Sequence, residues 1–301
     1  MDKGLNWPIE ASCSECGSSY QWSHAGSNIC LDFHGNPLKA QLVVFSDGNH
    51  HMALEASCQL FLKQHPDVID IFYATTPPAV LVQTVIKGSL MLGNLHLDIK
   101  PNIFISPKNI LNNLQDKNIV TSHNAFARSR GNVLLVRKNN PKNISSISDL
   151  FRHDVRLIIS NPEKETASYD VYRETIINFS KKENIDEESA EKLLRHDQST
   201  IYSQLIHHRE VPQAIYAGQA DVALVYYHLA LRYSRIFPDD FSYILLDELG
   251  ADEKAKATNI TTDYHIGVVG DGAEWGNKFY EFMHSDDALA EYEKHGLVAV
   301  K

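Results

Sequence analysis

The segment from residue 42 to residue 55 reads Leu42-Val43-Val44-Phe45-Ser46-Asp47-Gly48-Asn49-His50-His51-Met52-Ala53-Leu54-Glu55. Its apolar start predicts a buried strand, and the apolar spacing after His51 predicts a helix that continues through Leu62. The loop between them holds helix-capping residue types and a glycine, so the free N–H groups of the first helical turn would face the loop. Such a helix start suits an anion, and the two histidines add ring nitrogens that can donate hydrogen bonds or bind a metal.

The composition is that of an acidic α/β protein with enough residues for a large core. The chain has 301 residues, of which 43% are hydrophobic and 22% are charged, and its formal net charge is -10. Because no basic cluster compensates this charge, we expect neither nucleic acid nor an anionic membrane as a partner. No apolar run approaches the length of a transmembrane helix, and residues 1–8 lack the apolar core of a signal peptide. The expected compartment is the cytoplasm, or the periplasm if a leader has been removed.

Cysteines are concentrated in an N-terminal segment, residues 1–38. Cys13, Cys16, Cys30 and His34 follow the pattern C-x2-C-x13-C-x3-H, and nearby glycines supply the tight turns that zinc knuckles need. The pattern predicts a small zinc-ribbon-like module that holds a structural zinc ion. A disulfide from Cys30 to Cys13 or to Cys16, or free thiols, would fit the same spacing.

Strands and helices alternate from residue 39 onward. Apolar runs at residues 42–45, 68–74 and 99–106 are separated by helical patterns, and this βαβαβ order predicts a parallel sheet. The ligand edge of such a sheet lies at the carboxyl ends of its strands. Cys58, on the first of these helices, is predicted to be a buried core thiol.

The chain is predicted to fold into two lobes, each a mixed sheet flanked by helices. Residues 119–124 are polar and are interpreted as a connector between the lobes. We expect lobe I to contain residues 39–122 and 258–301, and lobe II to contain residues 123–257.

The order of the elements resembles that of class II periplasmic-type solute-binding proteins, specifically the molybdate- and tungstate-binding branch of the ABC-transporter binding proteins. The resemblance covers residues 40–301 and is carried by segments in the family's order: 45–46, 61–63, 103–106, 131–136, 157–163 with Tyr172, 218–226, 279–283 and 295–297. It implies two α/β lobes joined by crossing strands, with a ligand clamped in the cleft and no catalysis.

The resemblance also implies ligand-binding positions. The family's anion-binding hydroxyls fall near Ser46 and near Thr75 or Thr76, and its contacts from the second lobe fall near residues 162–168 and 207–209. The family's binding tyrosine falls on Tyr226, the last residue of the apolar run that starts at Val222. The full set of predicted ligand residues is Ser46, Asn49, His50, His51, Thr75, Thr76, Pro162, His207, His208, Arg209, Tyr226, Tyr227 and His228.

Histidines replace the small hydroxyl and backbone donors that are usual in the family, and they leave two ligand classes open. Imidazoles that carry a proton or donate N–H groups would hold a small inorganic oxyanion, whereas several neutral imidazoles would hold zinc, nickel or copper. Arg209 is permanently charged and favours an oxyanion if it lies in the cleft. A histidine pair at an element junction, such as His50-His51 or His207-His208, can equally be a capping or surface pair.

We therefore expect a non-catalytic protein that binds a small inorganic ligand for ABC-type uptake, with a transporter permease as its partner. An alternative is an intracellular ligand sensor of the same fold, in which the zinc-held N-terminal segment is an interaction module. A hydrolase could be assembled from Ser46, Asp47 and His50, or from His228 and Asp221. The sequence contains no nucleophile elbow, HExxH motif, P-loop or GxGxxG motif to support it.

Overall fold

The computed structural model describes Leu5 and residues 32–92, 95–195, 199–204, 207–249 and 257–300. The strands are β1 (Phe33–His34), β2 (Leu42–Ser46), β3 (Ile71–Ala74), β4 (Leu90–Leu92), β5 (Leu95–Leu97), β6 (Ile103–Pro107), β7 (Val120–Ser129), β8 (Asn132–Arg137), β9 (Leu157–Ile159), β10 (Thr200–Tyr202), β11 (Val222–Tyr226), β12 (Phe241–Leu245), β13 (Asp263–Val269) and β14 (Leu297–Ala299). The α-helices are α1 (His51–Gln64), α2 (Pro78–Lys87), α3 (Lys108–Asp116), α4 (Thr166–Lys182), α5 (Glu187–Leu193), α6 (His207–Tyr216), α7 (Tyr227–Ile236), α8 (Ala273–Met283) and α9 (Asp286–Lys294).

Two compact units divide these residues. The first unit holds residues 32–128 and 263–300, and the second unit holds Leu5 and residues 129–262. Each unit has its own sheet with helices around it, which confirms the predicted α/β class. In the described part of the chain no helix is long and apolar enough to cross a membrane.

The first unit is built on a seven-stranded sheet in the order β1-β3-β2-β6-β13-β7-β14. Strands β3, β2 and β6 are neighbours and run parallel, as the βαβαβ pattern predicts. Val44 at the centre of β2 pairs with Tyr73 on one side and with Ile103 on the other. Helix α1 packs against this sheet with α8 and α9, and the rings of Phe61 and Phe279 meet edge to face at 5.1 Å. The carboxyl ends of the three parallel strands therefore lie side by side.

Strand β7 covers most of residues 119–124, so the prediction of a polar connector there is wrong. The strand has ten residues and pairs antiparallel with β13. Its side chains differ in exposure: Val120 and Phe126 are buried, whereas Thr121 and Ser122 are exposed. Pairing with a strand that is distant in the sequence outweighs this local polarity.

The second unit is built on a five-stranded sheet in the order β10-β9-β11-β8-β12. Strands β10, β9 and β11 run parallel, and β8 runs antiparallel to both β11 and β12. Asp186 is the N-cap of helix α5, and its carboxylate accepts the Ser189 N–H group. Leu193 and Leu194 at the end of the helix are buried. The sheet is thus mixed, and three of its strands end at the same edge.

The chain passes between the units at residues 128–129 and 262–263. The predicted boundaries at 122–123 and 257–258 fall a few residues earlier. The boundaries of the structure lie where β7 ends and β13 begins, because these two strands stay paired up to that point.

Cys58 is a free, fully buried thiol in the core of the first unit, and burial raises its pKa, so the predicted core thiol is confirmed. The other members of the predicted zinc pattern, Cys13, Cys16 and Cys30, lie outside the described residues. The fourth member, His34, is on the edge strand β1, where it is buried and its ring stacks on Tyr73 with centroids 4.3 Å apart.

Candidate functional site

Hydroxyl side chains follow the parallel strands of the first unit. Because β2 and β3 are adjacent and parallel, Ser46 and Thr75 come at neighbouring positions along one edge, and both are fully buried. Ser46 Oγ donates to the Asp47 carbonyl at 3.1 Å. Thr75 Oγ1 donates to Asp32 Oδ1 at 3.0 Å. Both hydroxyl protons are thus used inside the unit, and the oxygen lone pairs are what these groups can still offer.

Two other hydroxyls on this edge are buried without a hydrogen-bond partner among the described residues. They belong to Thr76, which follows β3, and to Ser106 near the end of β6. A buried hydroxyl without a partner costs about 1–3 kcal/mol. A ligand oxygen would relieve that cost. Ser106 is not in the predicted set, although its place at a strand end could have included it.

His50 is held by two structural hydrogen bonds. Its Nε2 lies 3.2 Å from Ser46 Oγ, and its Nδ1 lies 3.0 Å from the Tyr292 hydroxyl. Since the Ser46 proton goes to the Asp47 carbonyl, His50 Nε2–H donates to Ser46 and His50 Nδ1 accepts from Tyr292. The ring also packs on Tyr264 at 4.5 Å. To bind a ligand through its ring, His50 would have to give up one of these bonds.

His51 and Asn49 belong to the same turn. His51 is fully buried, and its Nδ1–H donates to the Gly48 carbonyl at 2.7 Å, which leaves the lone pair of the neutral ring on Nε2. Asn49 N–H donates to the Asp47 carboxylate at 2.8 Å, so Asp47 is the N-cap of this turn. The predicted strand, capped turn and helix start are confirmed here.

In the second unit, Ser160 and Ser203 follow β9 and β10, and they connect to a carboxylate. Ser160 Oγ donates to Ser168 Oγ at 3.1 Å, and Ser168 Oγ donates to the Glu165 carbonyl at 3.1 Å. Ser203 Oγ donates to Glu165 Oε2 at 3.1 Å. The backbone N–H of His207 donates to Glu165 Oε1 at 3.3 Å. We call these five residues the α6 cluster.

His207 is the first residue of α6 and has an exposed fraction of 1%. Neither of its ring nitrogens has a hydrogen-bond partner in the part of the chain that the structure describes. The ring lies against Tyr172, with centroids 5.3 Å apart. Burial, and then the neighbouring charge of His208, lower the pKa of His207 to about 3. The ring is therefore neutral near pH 7 and offers one N–H donor and one lone pair.

Arg209 is the third residue of α6 and also has an exposed fraction of 1%. Its guanidinium keeps its charge at every physiological pH, so the fold carries a permanent positive charge inside the second unit. That charge sits in the first turn of a helix, where the backbone dipole already favours an anion.

Helix α6 contains Pro212, which lacks an N–H group. The carbonyl that a residue at this position would normally bond is that of His208, and the Tyr233 hydroxyl donates to this carbonyl at 2.8 Å. A side chain from α7 thus replaces the missing backbone bond and stabilises the turn that carries the two histidines.

Tyr226 ends β11, and its hydroxyl lies 2.9 Å from Thr262 Oγ1, with both residues buried. The His228 ring is fully buried and stacks on Tyr226 with centroids 5.2 Å apart. Tyr227 lies edge-on against Tyr243 of β12. The structure thus places these three predicted residues at one end of β11 but in different packing environments.

Pro162 lies in the turn after β9, and its carbonyl accepts the Thr166 hydroxyl at 2.7 Å, which closes the start of α4. Four members of the α6 cluster are absent from the predicted set of ligand residues: Ser160, Glu165, Ser168 and Ser203. Glu165 and Ser168 nevertheless fall within the segment 162–168, where the resemblance places ligand contacts. The position of Ser203 directly after a strand could have identified it. Glu165 could not have been found in this way, because its contacts come from residues 38 and 42 positions away.

Each of the two α/β units carries polar side chains at the ends of its parallel strands, and a comparison with known families shows the class of protein to which the chain belongs. The model of the bacterial extracellular solute-binding protein family matches residues 42–298, so the chain belongs to this family. It is a solute-binding protein of the class II type that the resemblance implies. No curated protein sequence matches the chain.

Solved structures share the fold at low sequence identity. The sulfate-binding protein SubI from Mycobacterium tuberculosis has a TM-score of 0.62 and 15% identity, covering 86% of this chain and 87% of that one. The periplasmic molybdate-binding protein of Azotobacter vinelandii has a TM-score of 0.60 and 15% identity, covering 87% of this chain and 100% of that one. Iron-bound HitA from Pseudomonas aeruginosa has a TM-score of 0.55 and 12% identity, covering 84% and 83%.

Proposed function

We propose that the protein is the substrate-binding component of an ABC-type importer and that its ligand is a small inorganic oxyanion of the molybdate or tungstate class. The observation that carries the proposal is the buried Arg209 in the first turn of α6. Family membership supplies the solute-binding role, and the arginine supplies the sign of the ligand's charge.

A permanent buried cation selects against metal ions and for anions. Arginine presents several N–H donors in one plane, which fits the oxygens of a tetrahedral oxyanion. His207 adds a neutral N–H donor and no further charge, because burial keeps its pKa at about 3. These donors suit a ligand that carries oxygens on every side.

Metal-ion binding is a second candidate function, and one observation favours it. A neutral imidazole whose nitrogens have no partner in the described part of the chain, as in His207, is also a good metal ligand. In the described part of the chain, however, no group of three or more His, Cys, Asp or Glu side chains is placed to hold a metal.

A binding screen tests the proposal and separates the two candidates. Molybdate, tungstate, sulfate, phosphate, Fe³⁺, Zn²⁺, Ni²⁺ and Cu²⁺ would each be added to the protein, and the thermal midpoint and calorimetric affinity would be measured. We expect a rise in midpoint with an oxyanion, because a ligand that binds the folded state stabilises it by mass action. If none of the four anions shifts the midpoint, the oxyanion proposal is wrong.

Substitutions of Arg209 test whether this side chain binds the oxyanion. Arg209→Gln is expected to weaken oxyanion binding by about tenfold to a hundredfold, since a hydrogen bond to a charged group contributes about 1.5–3 kcal/mol. Arg209→Lys keeps the charge and should retain part of the affinity. The matched control is Arg156→Gln, which removes a more exposed arginine of the same unit that pairs with Asp221. Equal oxyanion affinities in Arg209→Gln and Arg156→Gln would show that Arg209 does not contact the ligand.

A further inference from the structure

A second pair of histidines lies in the first unit, outside the predicted set of ligand residues, and one of them, His265, pairs across the sheet with Ser106. His123 is on β7 and His265 is on the adjacent strand β13. Their Nδ1 atoms are 2.9 Å apart, and the rings meet edge to face with centroids 4.9 Å apart. His265 is buried and His123 is partly exposed, so solvent reaches one side of the pair.

The proton positions of this pair follow from a third residue. His123 Nε2 lies 3.0 Å from Asn112 Oδ1, and because a carbonyl oxygen accepts, the nitrogen donates. The neutral His123 ring then has its lone pair on Nδ1. His265 Nδ1–H donates to that lone pair. The two Nδ1 atoms thus face each other, and each ring would turn to direct its Nδ1 lone pair at a metal shared between them.

We propose that His123 and His265 form a binding site for a divalent transition-metal ion, best suited to Cu²⁺. Two bonds of about 2.0–2.1 Å to nitrogens this far apart would enclose an angle of about 90°. That angle belongs to square-planar or octahedral coordination, which Cu²⁺ and Ni²⁺ adopt, whereas tetrahedral zinc needs the nitrogens a few tenths of an ångström farther apart. Water would fill the remaining positions on the exposed side.

One neighbour of the pair favours metal binding and another disfavours it. A ligating histidine usually donates its other ring N–H to a carbonyl or carboxylate, and Asn112 already accepts that bond from His123. When the metal binds, the shared proton moves from Nδ1 to Nε2 of His265, so no proton has to leave the neutral pair. The opposing group is Lys108, an exposed cation at the start of α3.

Burial, with a smaller effect of nearby charges, lowers the pKa of both rings and favours their neutral form near pH 7. Burial and then the Lys108 charge lower the pKa of His123. Burial and then His123 lower the pKa of His265, with Lys108 adding to this, while Asp263 raises it. Neutral imidazoles are the form that binds metals, so the site needs no prior deprotonation at this pH.

A Cu²⁺ titration followed by electron paramagnetic resonance tests the site. The parent would be the full chain with Cys13, Cys16 and Cys30 replaced by serine, so that thiolates do not compete for the metal. We expect a signal from a Cu²⁺ ion with two imidazole nitrogens. His123→Gln and His265→Gln should each remove the two-nitrogen signal and weaken binding by at least about tenfold. His153→Gln, which removes an exposed histidine of the second unit, is the matched control and should change nothing.

Two exposed substitutions test the site without removing a ligand. Lys108→Gln removes the opposing charge, and Asn112→Asp places a negative charge on the Nε2 side of His123, so both should tighten Cu²⁺ binding several-fold. The inference is wrong if the parent shows no two-nitrogen signal, if both histidine variants keep it, or if neither exposed variant changes the affinity. Oxyanion affinity in the same variants should stay at the parent value, which separates this site from the proposed function.

Discussion

At the residue scale, histidines that look alike in the sequence have different environments. His50 and His207 each belong to a pair at an element junction, as predicted. His50 is held on both sides, by Ser46 and by Tyr292, whereas both His207 ring nitrogens lack a partner among the described residues. The difference could not be predicted from local sequence, because Tyr292 is 242 positions from His50. Strand ends and junctions can be found from the sequence, but the partner of each ring nitrogen depends on tertiary packing.

The buried neutral state of His207 makes stability depend on pH. Its pKa is about 3 in the folded protein, against 6.5 for an ordinary histidine. Between these values the unfolded chain binds a proton that the folded protein does not, so the free energy of unfolding decreases as the pH falls. His207→Leu removes this contribution. When the pH falls from about 7.5 to about 5, we expect the free energy of unfolding of the wild type to decrease by about 2 kcal/mol more than that of the variant.

Urea denaturation at the two pH values measures this difference. His153→Leu is the control, because it replaces an exposed histidine of the same unit and should follow the wild type. If His207→Leu lost as much stability as the wild type, the ring would not be the source of the pH dependence.

At the scale of elements, regular patterns were predicted well and irregular ones were not. The strand, turn and helix at residues 42–62 were predicted because apolar spacing and capping residues agree there. The pairing of β4 with β5 is not among the predictions, although Gly93-Asn94 between Leu90-Met91-Leu92 and Leu95-His96-Leu97 is a hairpin signal in the sequence. Strand β7 was missed because its polar residues suggested a loop, while its pairing partner β13 comes far later in the chain.

Helix α6 shows how one element can depend on another, and it gives a second prediction. Pro212 deprives the His208 carbonyl of its helical donor, and the Tyr233 hydroxyl takes its place. Tyr233→Phe leaves a buried carbonyl without this donor and should lower the free energy of unfolding by about 1–3 kcal/mol. In a Pro212→Ala background the backbone N–H can bond the carbonyl again, so the same change should cost less there. A double-mutant cycle by urea denaturation measures the coupling, and equal costs in both backgrounds would contradict the explanation.

At the scale of the whole molecule, the order of segments was enough to predict the class of protein. Two α/β units, a parallel strand set at residues 42–107 and a second sheet after residue 129 were all expected from the alternation and from the resemblance. The ligand could not be predicted, because the residue types at the predicted ligand positions, histidines and an arginine, leave both an oxyanion and a metal open. Charge and protonation decide between an oxyanion and a metal, and both depend on burial, which appears with the fold.

The predicted ligand residues fall in both units, and hydrogen exchange can show whether both hold the ligand. Amides that exchange through local opening are slowed when a ligand binds the closed form, so protection by molybdate marks the elements that contact it. If both units contribute, amides at the start of α1 and at the start of α6 should both slow. Arg209→Gln, measured at the same molybdate concentration, should lose the protection at both places together, because one ligand would be lost. Protection confined to one unit would mean that this unit binds molybdate alone, against the arrangement that the resemblance implies.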